Sequence, residues 1–266
     1  MKKERRGIQS VEVGGQLLEA LVSEGAPMLL RDLAQKAGMT SAKAHPYLVS
    51  LGNIGLIQQD SVSGRYELGP FALQMGLISL QLLDPVKIAL AETAALCEEI
   101  GHTVALAVLG NCGPTIVHLD ESRQPIHVKM RTGTVMSILN TATGRVFSAY
   151  LPAEQVARLS ARELGDPGVA NHAGATFTAA ALAALLAEVR GHGMARTVGD
   201  PTPGINAISA PVFDHAGKMA LAVTAIGPMG SLDAAWDGAA ATRLKECAAR
   251  ISRRLGHKAG AAPAPC

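Results

Sequence analysis

Aromatic residues and paired cysteines are scarce in this chain of 266 residues. Aromatics make up 3% of it against 48% hydrophobic residues overall, so Ala, Leu and Val must build most of a large apolar core. The four cysteines lack Cys-x-x-Cys spacing, which favours reduced thiols over metal ligands or disulfides. No apolar run of about 18 residues occurs, and the charged start lacks an apolar signal region. We therefore expect a cytoplasmic protein with no membrane partner.

Sequence motifs of common enzymes are also missing. The chain has no Gly-x-Ser-x-Gly, no Walker loop and no dinucleotide-binding fingerprint. Its eight histidines show no metal-ligand spacing, and none lies beside a cysteine nucleophile signature. We therefore expect that the protein binds no metal and no cofactor and is not an enzyme. Two alternatives stay open, namely an enzyme and a stand-alone small-molecule sensor, each of which would use the C-terminal half of the chain.

Residues 29 to 69 have the pattern of a winged helix-turn-helix. Apolar residues recur at helical spacing before Gly38 and again after a cap at Thr40 or Ser41, and two short alternating segments at 56–60 and 65–68 then form a hairpin. A helix fits the DNA major groove, and its N-terminal side chains can reach base edges. The alternative interpretation is an ordinary helical core. The adjacent hairpin favours DNA binding.

Positive charge in this segment is modest. The whole chain has a formal charge of +2, and residues 1–69 contain eight Lys or Arg against seven Asp or Glu. Because neutralisation of phosphates drives affinity for nucleic acids, one such module should bind DNA weakly, and two or more copies are needed. Four of the eight cations lie within residues 2–6. They form either a solvated terminus or an arm that contacts phosphate.

The rest of the chain predicts a connecting helix and a second, α+β domain. Residues 70–83 are helical in pattern but apolar nearly all round, which indicates self-association. Helices and strands follow in two groups, and this order is typical of a sheet covered by helices. The predicted helices are 86–100, 143–151, 152–164, 178–190 and 233–254, and the predicted strands are 103–109, 115–120, 126–130, 205–213 and 218–226.

Several motifs together resemble the IclR-type transcriptional regulators. Besides the winged module, they are Ser-Gly-Arg-Tyr-Glu-Leu-Gly at 63–69, Thr-Ala-Thr-Gly-Arg at 141–145, Pro-Gly-Ile-Asn-Ala-Ile-Ser-Ala-Pro-Val at 203–212 and Ala-Val-Thr-Ala-Ile-Gly-Pro at 222–228. The resemblance implies an N-terminal winged helix-turn-helix at 8–69, a linker helix at 70–85 and a GAF-like effector-binding domain at 86–257. Residues 258–266 form a tail that we expect to be disordered. The implied partners are a double-stranded DNA operator, a small organic effector and further copies of the chain, as a homodimer or homotetramer.

The resemblance also assigns residues that contact DNA. The recognition helix begins at Thr40 and Ser41, and its other base-facing positions are Lys43 and His45, while Arg65 lies in the wing. Pro46 stands where the family usually has Arg or another helix-compatible residue. We therefore expect the helix to begin late or to bend, because an interior proline removes one hydrogen bond and crowds a carbonyl. Similarly, Gly14 and Gly15 predict that the first helix starts only after them.

For the effector, the resemblance points to the start of the helix at 143–151. Its ligand loop falls on Thr141, Ala142, Thr143 and Gly144, where backbone N–H groups suit a carboxylate. The alternative is a simple helix cap. Asp200, Asn206 and Thr224 complete the expected site. Because Ile226 replaces a frequent hydroxyl residue, we expect a ligand with an apolar body and one polar end.

Overall fold

The computed structural model describes residues 7–122, 130–164 and 179–258. The chain divides into two compact units, residues 1–83 and 84–266, which are described separately below. The expected linker helix belongs to the N-terminal unit. The expected tail lies outside the described residues, apart from its first residue, Lys258.

The N-terminal unit is a winged helix-turn-helix, as predicted. In chain order, its described elements are α1 (Gln9–Glu24), α2 (Leu30–Lys36), α3 (Ser41–Asn53), β1 (Ile57–Gln59), β2 (Tyr66–Leu68) and α4 (Pro70–Gln81). The antiparallel strands β1 and β2 form the wing. An isolated hairpin is marginal in water, and here Ile57 and Tyr66 bury it in a core shared with Leu17, Leu33 and Leu48.

Helix α1 starts before the two glycines, so the expected start after Gly15 is wrong. The helix begins at Gln9 and buries Val13 and Leu17 on one face. Each interior glycine costs about 1 kcal/mol relative to alanine, whereas burial of one large aliphatic side chain contributes about 1.5–3 kcal/mol. Packing of this apolar face therefore outweighs the poor helix propensity of Gly14 and Gly15.

Helix α3 contains Pro46 in its interior, so the expected late start is also wrong. Thr40 is the N-cap, and its hydroxyl accepts a hydrogen bond from the Lys43 N–H at 3.3 Å. Pro46 has no N–H to donate to the carbonyl of Ala42. Both residues are exposed. Solvent can therefore reach the part of the helix surface where this bond is missing, and α3 continues because Ala44 and Leu48 are buried beneath it.

Helix α4 leaves its apolar surface exposed. None of its residues is buried, and two stripes of large side chains run along it. The first contains Leu73, Leu77 and Leu80, and the second contains Phe71, Met75 and Ile78.

In the part of the chain that the structure describes, no single helix is long and apolar enough to cross a membrane. Within those residues, α4 and the next helix along the chain meet the criteria of length and composition when they are counted together.

The C-terminal unit is α+β, as predicted. Its described elements are α5 (Pro85–Ile100), β3 (Thr103–Gly110), β4 (Gly113–Asp120), α6 (Ala142–Tyr150), α7 (Ala153–Leu164), α8 (Ala179–His192), β5 (Ala195–Val198), β6 (Ile205–Phe213), β7 (Met219–Pro228) and α9 (Ala239–Arg254). The strands form one antiparallel sheet in the order β4-β3-β7-β6-β5. Helices α5 and α9 pack as a pair against this sheet, and α6 packs on it separately. The centre of the sheet therefore lies beneath α6.

Two details of this unit differ from the prediction, and a third is not tested. Edge strand β5 is short and contains Arg196, so it lacks the apolar alternation that marks a strand. Helix α9 starts at Ala239 rather than Asp233, because the Asp233 carboxylate accepts the Ala235 N–H in a turn before the helix. The predicted strand at 126–130 lies outside the described residues, except for Met130, which is not in a strand.

Cysteines in the described residues are free, as expected. Cys97 and Cys247 are buried, and their thiols donate to the carbonyls of Asp120 and Glu92 at 3.3 and 3.6 Å. Burial raises the pKa of Cys97, and it raises the pKa of Cys247 to about 11. Because the thiolate is the reactive form, these two thiols are inert core residues at neutral pH. Cys112 is exposed in the turn between β3 and β4.

Candidate functional site

The expected DNA-contacting residues lie on the outer side of α3. Lys43 and His45 are exposed, and Ser41 is half-buried at the first position of the helix. Ala44 and Leu48 point inward and hold the helix on the core. Thr40 uses its hydroxyl oxygen to cap the helix, so its first role is structural. Side chains near the N-terminus of α3 are thus free to approach base edges and phosphates.

Arg65 lies in the wing and makes a hydrogen bond within the N-terminal unit. Its Nη1 donates to the carbonyl of Pro27 at 3.1 Å, while the side chain stays exposed. The turn before it is fixed by Asp60, whose carboxylate accepts from the N–H and hydroxyl of Ser63 and from the N–H of Val62. The hydrogen bonds from Ser63 hold the pKa of Asp60 below its ordinary value. Arg65 therefore retains donors for a phosphate on a rigid hairpin.

The N-terminus of α6 is buried and is overlaid by residues 137–139. Thr141 caps this helix: its hydroxyl accepts the Gly144 N–H at 2.9 Å and donates to the carbonyl of Ser137 at 2.7 Å. Ser148 and Arg145 donate to the next two carbonyls, those of Ile138 and Leu139, at 3.0 Å each. Side chains of α6 and of its N-cap thus hold three consecutive carbonyl groups.

Two backbone donors at this helix end are unused. The N–H groups of Ala142 and Thr143 have no acceptor within the part of the chain that the structure describes, although both residues are almost fully buried. Buried backbone N–H groups are nearly always paired. The positive end of the helix dipole adds to their attraction for an anion. This arrangement can bind a carboxylate.

Beneath this helix end, three hydroxyls form a buried chain. Thr143 Oγ1 lies 2.8 Å from Thr224 Oγ1, and Thr224 donates to Ser209 Oγ at 2.8 Å. A hydroxyl has one proton, so Thr143 must donate to Thr224. The predicted residues Thr143 and Thr224 are therefore brought together, and Ser209, which the sequence analysis missed, is their third member. Ile226 lies nearby in an apolar cluster with Ile138 and Phe147.

Asn206 does not join this group, which corrects its assignment to the same site. It lies three residues before Ser209 on the continuous strand β6, and side chains alternate between the two faces of a strand. Its amide donates to the carbonyl of Leu232 at 2.8 Å and accepts the Gly199 N–H at 3.2 Å. These bonds join two loops, so Asn206 has a structural role.

Arg145, the last residue of the Thr-Ala-Thr-Gly-Arg motif, is the charged residue of this site, and no role was predicted for it. The Arg145 guanidinium donates to the carbonyl of Arg196 at 2.9 Å, which joins α6 to β5. Burial lowers the pKa of Arg145, and the charges of Asp200 and Glu188 oppose that shift. Asp200 is therefore one of the two negative charges that act on this partly buried cation. Nothing in the helical pattern of 143–151 distinguishes Arg145 from a solvent-facing residue.

Comparison with family models matches both units of the chain. The model described as the bacterial transcriptional regulator IclR C-terminal domain matches residues 78–253, and the IclR helix-turn-helix domain model matches residues 10–61. The chain belongs to the IclR family of transcriptional regulators. In the IclR family, the N-terminal unit is a helix-turn-helix DNA-binding domain, and binding of an effector is typical.

Individual IclR-family proteins resemble the chain along most of its length. The glycerol operon regulatory protein of Streptomyces griseus is 35% identical over 94% of this chain and 98% of its own. The transcriptional repressor IclR of Escherichia coli is 26% identical over 84% of this chain and 81% of its own. The crystal structure of Pseudomonas aeruginosa HmgR has a TM-score of 0.87 and 37% identity, and the match covers 95% of this chain and all of HmgR.

Proposed function

We propose that this IclR-family regulator binds a palindromic or near-palindromic operator through α3 and releases or tightens it in response to an organic acid bound at the N-terminus of α6. The observation that carries the proposal is the pair of buried, unpaired N–H groups of Ala142 and Thr143, since a carboxylate would supply the missing acceptors. The apolar cluster with Ile138 and Ile226 favours an apolar ligand body. Its site of action is the cytoplasm.

We also propose that the working form is a homodimer or homotetramer. The apolar stripes of α4 are exposed in the single chain, and contiguous apolar surface of this kind usually marks an interface. Two copies would also double the few positive charges that each N-terminal unit presents to DNA. The alternatives, an enzyme or a stand-alone sensor, account for the C-terminal unit alone, whereas a regulator uses both units.

The assignment of Lys43 predicts that Lys43→Ala weakens specific DNA binding about tenfold or more, because a cation that faces the groove contributes both charge and base contacts. The measurement is a shift assay on a duplex enriched from random-sequence DNA by the full-length protein. Lys87→Ala is the matched control, because Lys87 is an exposed cation of α5 in the other unit. Unchanged affinity and sequence preference in Lys43→Ala would remove Lys43 from the recognition surface.

The effector site predicts that Ala142→Pro weakens binding of an organic acid about tenfold to a hundredfold. Proline is favoured at the first helical position, and the extended backbone of Thr141 is compatible with a following proline, so the substitution removes one N–H that an anion would use. Calorimetric titration with benzoate, phenylacetate and hexanoate, and with their uncharged amides, measures the effect.

Ala239→Pro provides the control for this titration, because it places proline at the exposed first position of α9. We expect that variant to bind acids normally, and we expect the amides to bind poorly to every protein. Unfolding temperatures of both variants show whether Ala142→Pro remains folded. Equal affinities for an acid in the two folded variants would contradict a carboxylate at this helix end.

A further inference from the structure

Along residues 42–49 of α3, the outermost side chains are apolar. Ala44, Tyr47, Leu48 and Leu51 pack on the core and define the inward direction of the helix. With a rotation of about 100° per residue, the opposite direction falls on Ala42, Pro46 and Val49, and then on Asn53, the last residue of the helix. All four are exposed, and Val49 is 48% exposed. Ser41, Lys43 and His45 lie on the two flanks of this surface rather than at its centre.

Between residues 42 and 49, this surface carries no hydrogen-bonding side chain, and Asn53 at the C-terminal end of α3 is the first residue in this direction that has one. The side chains of Ala42, Pro46 and Val49 have no donor or acceptor, and Pro46 lacks even a backbone N–H. Ser50 lies beside Val49, but its hydroxyl donates back to the carbonyl of Pro46 at 2.9 Å. If residues 42–49 of α3 enter the major groove with this surface first, they therefore meet the base edges with carbon atoms.

The major groove offers one apolar group, the C5 methyl of thymine. We propose that Val49, with Pro46 one turn before it, reads thymine methyl groups in each operator half-site. Lys43 and His45, on the flanks, would then contact neighbouring phosphates or bases. This inference rests on the proposed binding of α3 to DNA. It adds recognition of thymine through apolar contact with its methyl group, without a hydrogen bond.

Replacement of thymine by uracil tests the proposal, because uracil lacks only the methyl group and pairs with adenine in the same way. The probe is the duplex enriched from random-sequence DNA by the full-length protein, with each thymine replaced in turn. At one or two positions in each half-site, we expect the replacement to lower affinity about threefold to tenfold. Val49→Ala should lower affinity for the thymine duplex and abolish the penalty at one of these positions. Pro46→Ala should reduce it at a neighbouring position.

Val22→Ala is the matched control, because Val22 lies on α1 of the same unit and is 49% exposed. This variant should keep the full ratio of thymine to uracil affinity, whatever its absolute affinity. Methyl recognition by α3 is overturned if no uracil replacement weakens binding, or if Val49→Ala and Pro46→Ala both retain every penalty. If no duplex is enriched at all, operator binding itself fails, and this result is distinct from the other two. Val49 and Pro46 are exposed, so both variants should fold, and circular dichroism checks this.

Discussion

Replacement of Leu73 and Leu77 by Glu is expected to convert the protein to monomers and to weaken operator binding about a hundredfold or more. The two residues lie one turn apart on the same stripe of α4, and Leu73 is 65% exposed in the single chain. A charge at each position would have to be buried if this stripe packs against a second copy, and burial of an unpaired charge is costly. Loss of the second copy removes the avidity of two linked modules, which commonly contributes 10²–10⁴ in affinity.

Sedimentation or light scattering gives the mass of the variant, and a shift assay on the enriched duplex gives its affinity. Gln74→Glu with Gln81→Glu is the matched control, because it adds the same charge to the same helix at exposed polar positions outside both apolar stripes. We expect the control to keep both mass and affinity. A Leu73→Glu, Leu77→Glu protein that remains an oligomer would place the interface on another surface.

The DNA-binding unit could be predicted from the sequence because its signals are local. The apolar residues of α3 recur at helical spacing, and the glycine turn before it and the hairpin after it are each visible within a few residues. The late helix starts expected from the interior glycines of α1 and from Pro46 of α3 were wrong for a related reason. The helix propensity of a residue does not include the free energy that a buried helix face contributes. Here the burial of Leu17 and Leu48 outweighs the poor helix propensity of the glycines and of Pro46.

The candidate effector site was only partly predictable, because it is assembled from distant strands. Thr143 and Thr224 are 81 residues apart, and only the register of β6 and β7 shows that Ser209 completes their hydroxyl chain. A strand position decides which face a side chain occupies, so Asn206 falls on the opposite face from Ser209 although both belong to the same motif. Arg145 could not be recognised as a structural cation without the positions of the carbonyls of Leu139 and Arg196.

Gly144 lies where residues 137–138 pass closest to α6, and its replacement tests whether this contact holds the site. A Cβ atom on Gly144 would come within 2.0 Å of the Ser137 carbonyl oxygen and 2.6 Å of two Ile138 backbone atoms. Backbone atoms cannot rotate away as a side chain can. The segment would have to move, although the hydroxyls of Thr141 and Ser148 bind its carbonyls.

Gly144→Ala is therefore expected to destabilise the C-terminal unit by about 3 kcal/mol, at the upper end of the usual cost of overpacking. For a unit of this size, that corresponds to a decrease of about 6–12 °C in the unfolding temperature. Calorimetric unfolding measures it, and titration with the organic acids should show that binding at the start of α6 is lost. The shift assay should show that the folded N-terminal unit still binds the enriched duplex.

Gly191→Ala is the control for this substitution. Gly191 also lies in a helix of the C-terminal unit, but a Cβ there would meet no atom within 4 Å. Because alanine is the better helix former, this variant should gain up to about 1 kcal/mol. Both substitutions replace glycine by alanine, but the expected changes in the free energy of unfolding have opposite signs. A general effect of alanine on the unit therefore cannot produce both results. If the Gly144→Ala protein were as stable as the Gly191→Ala protein, residues 137–138 would not be held against α6 in solution. The N–H groups of Ala142 and Thr143 would then be open to water and would not be reserved for an anion.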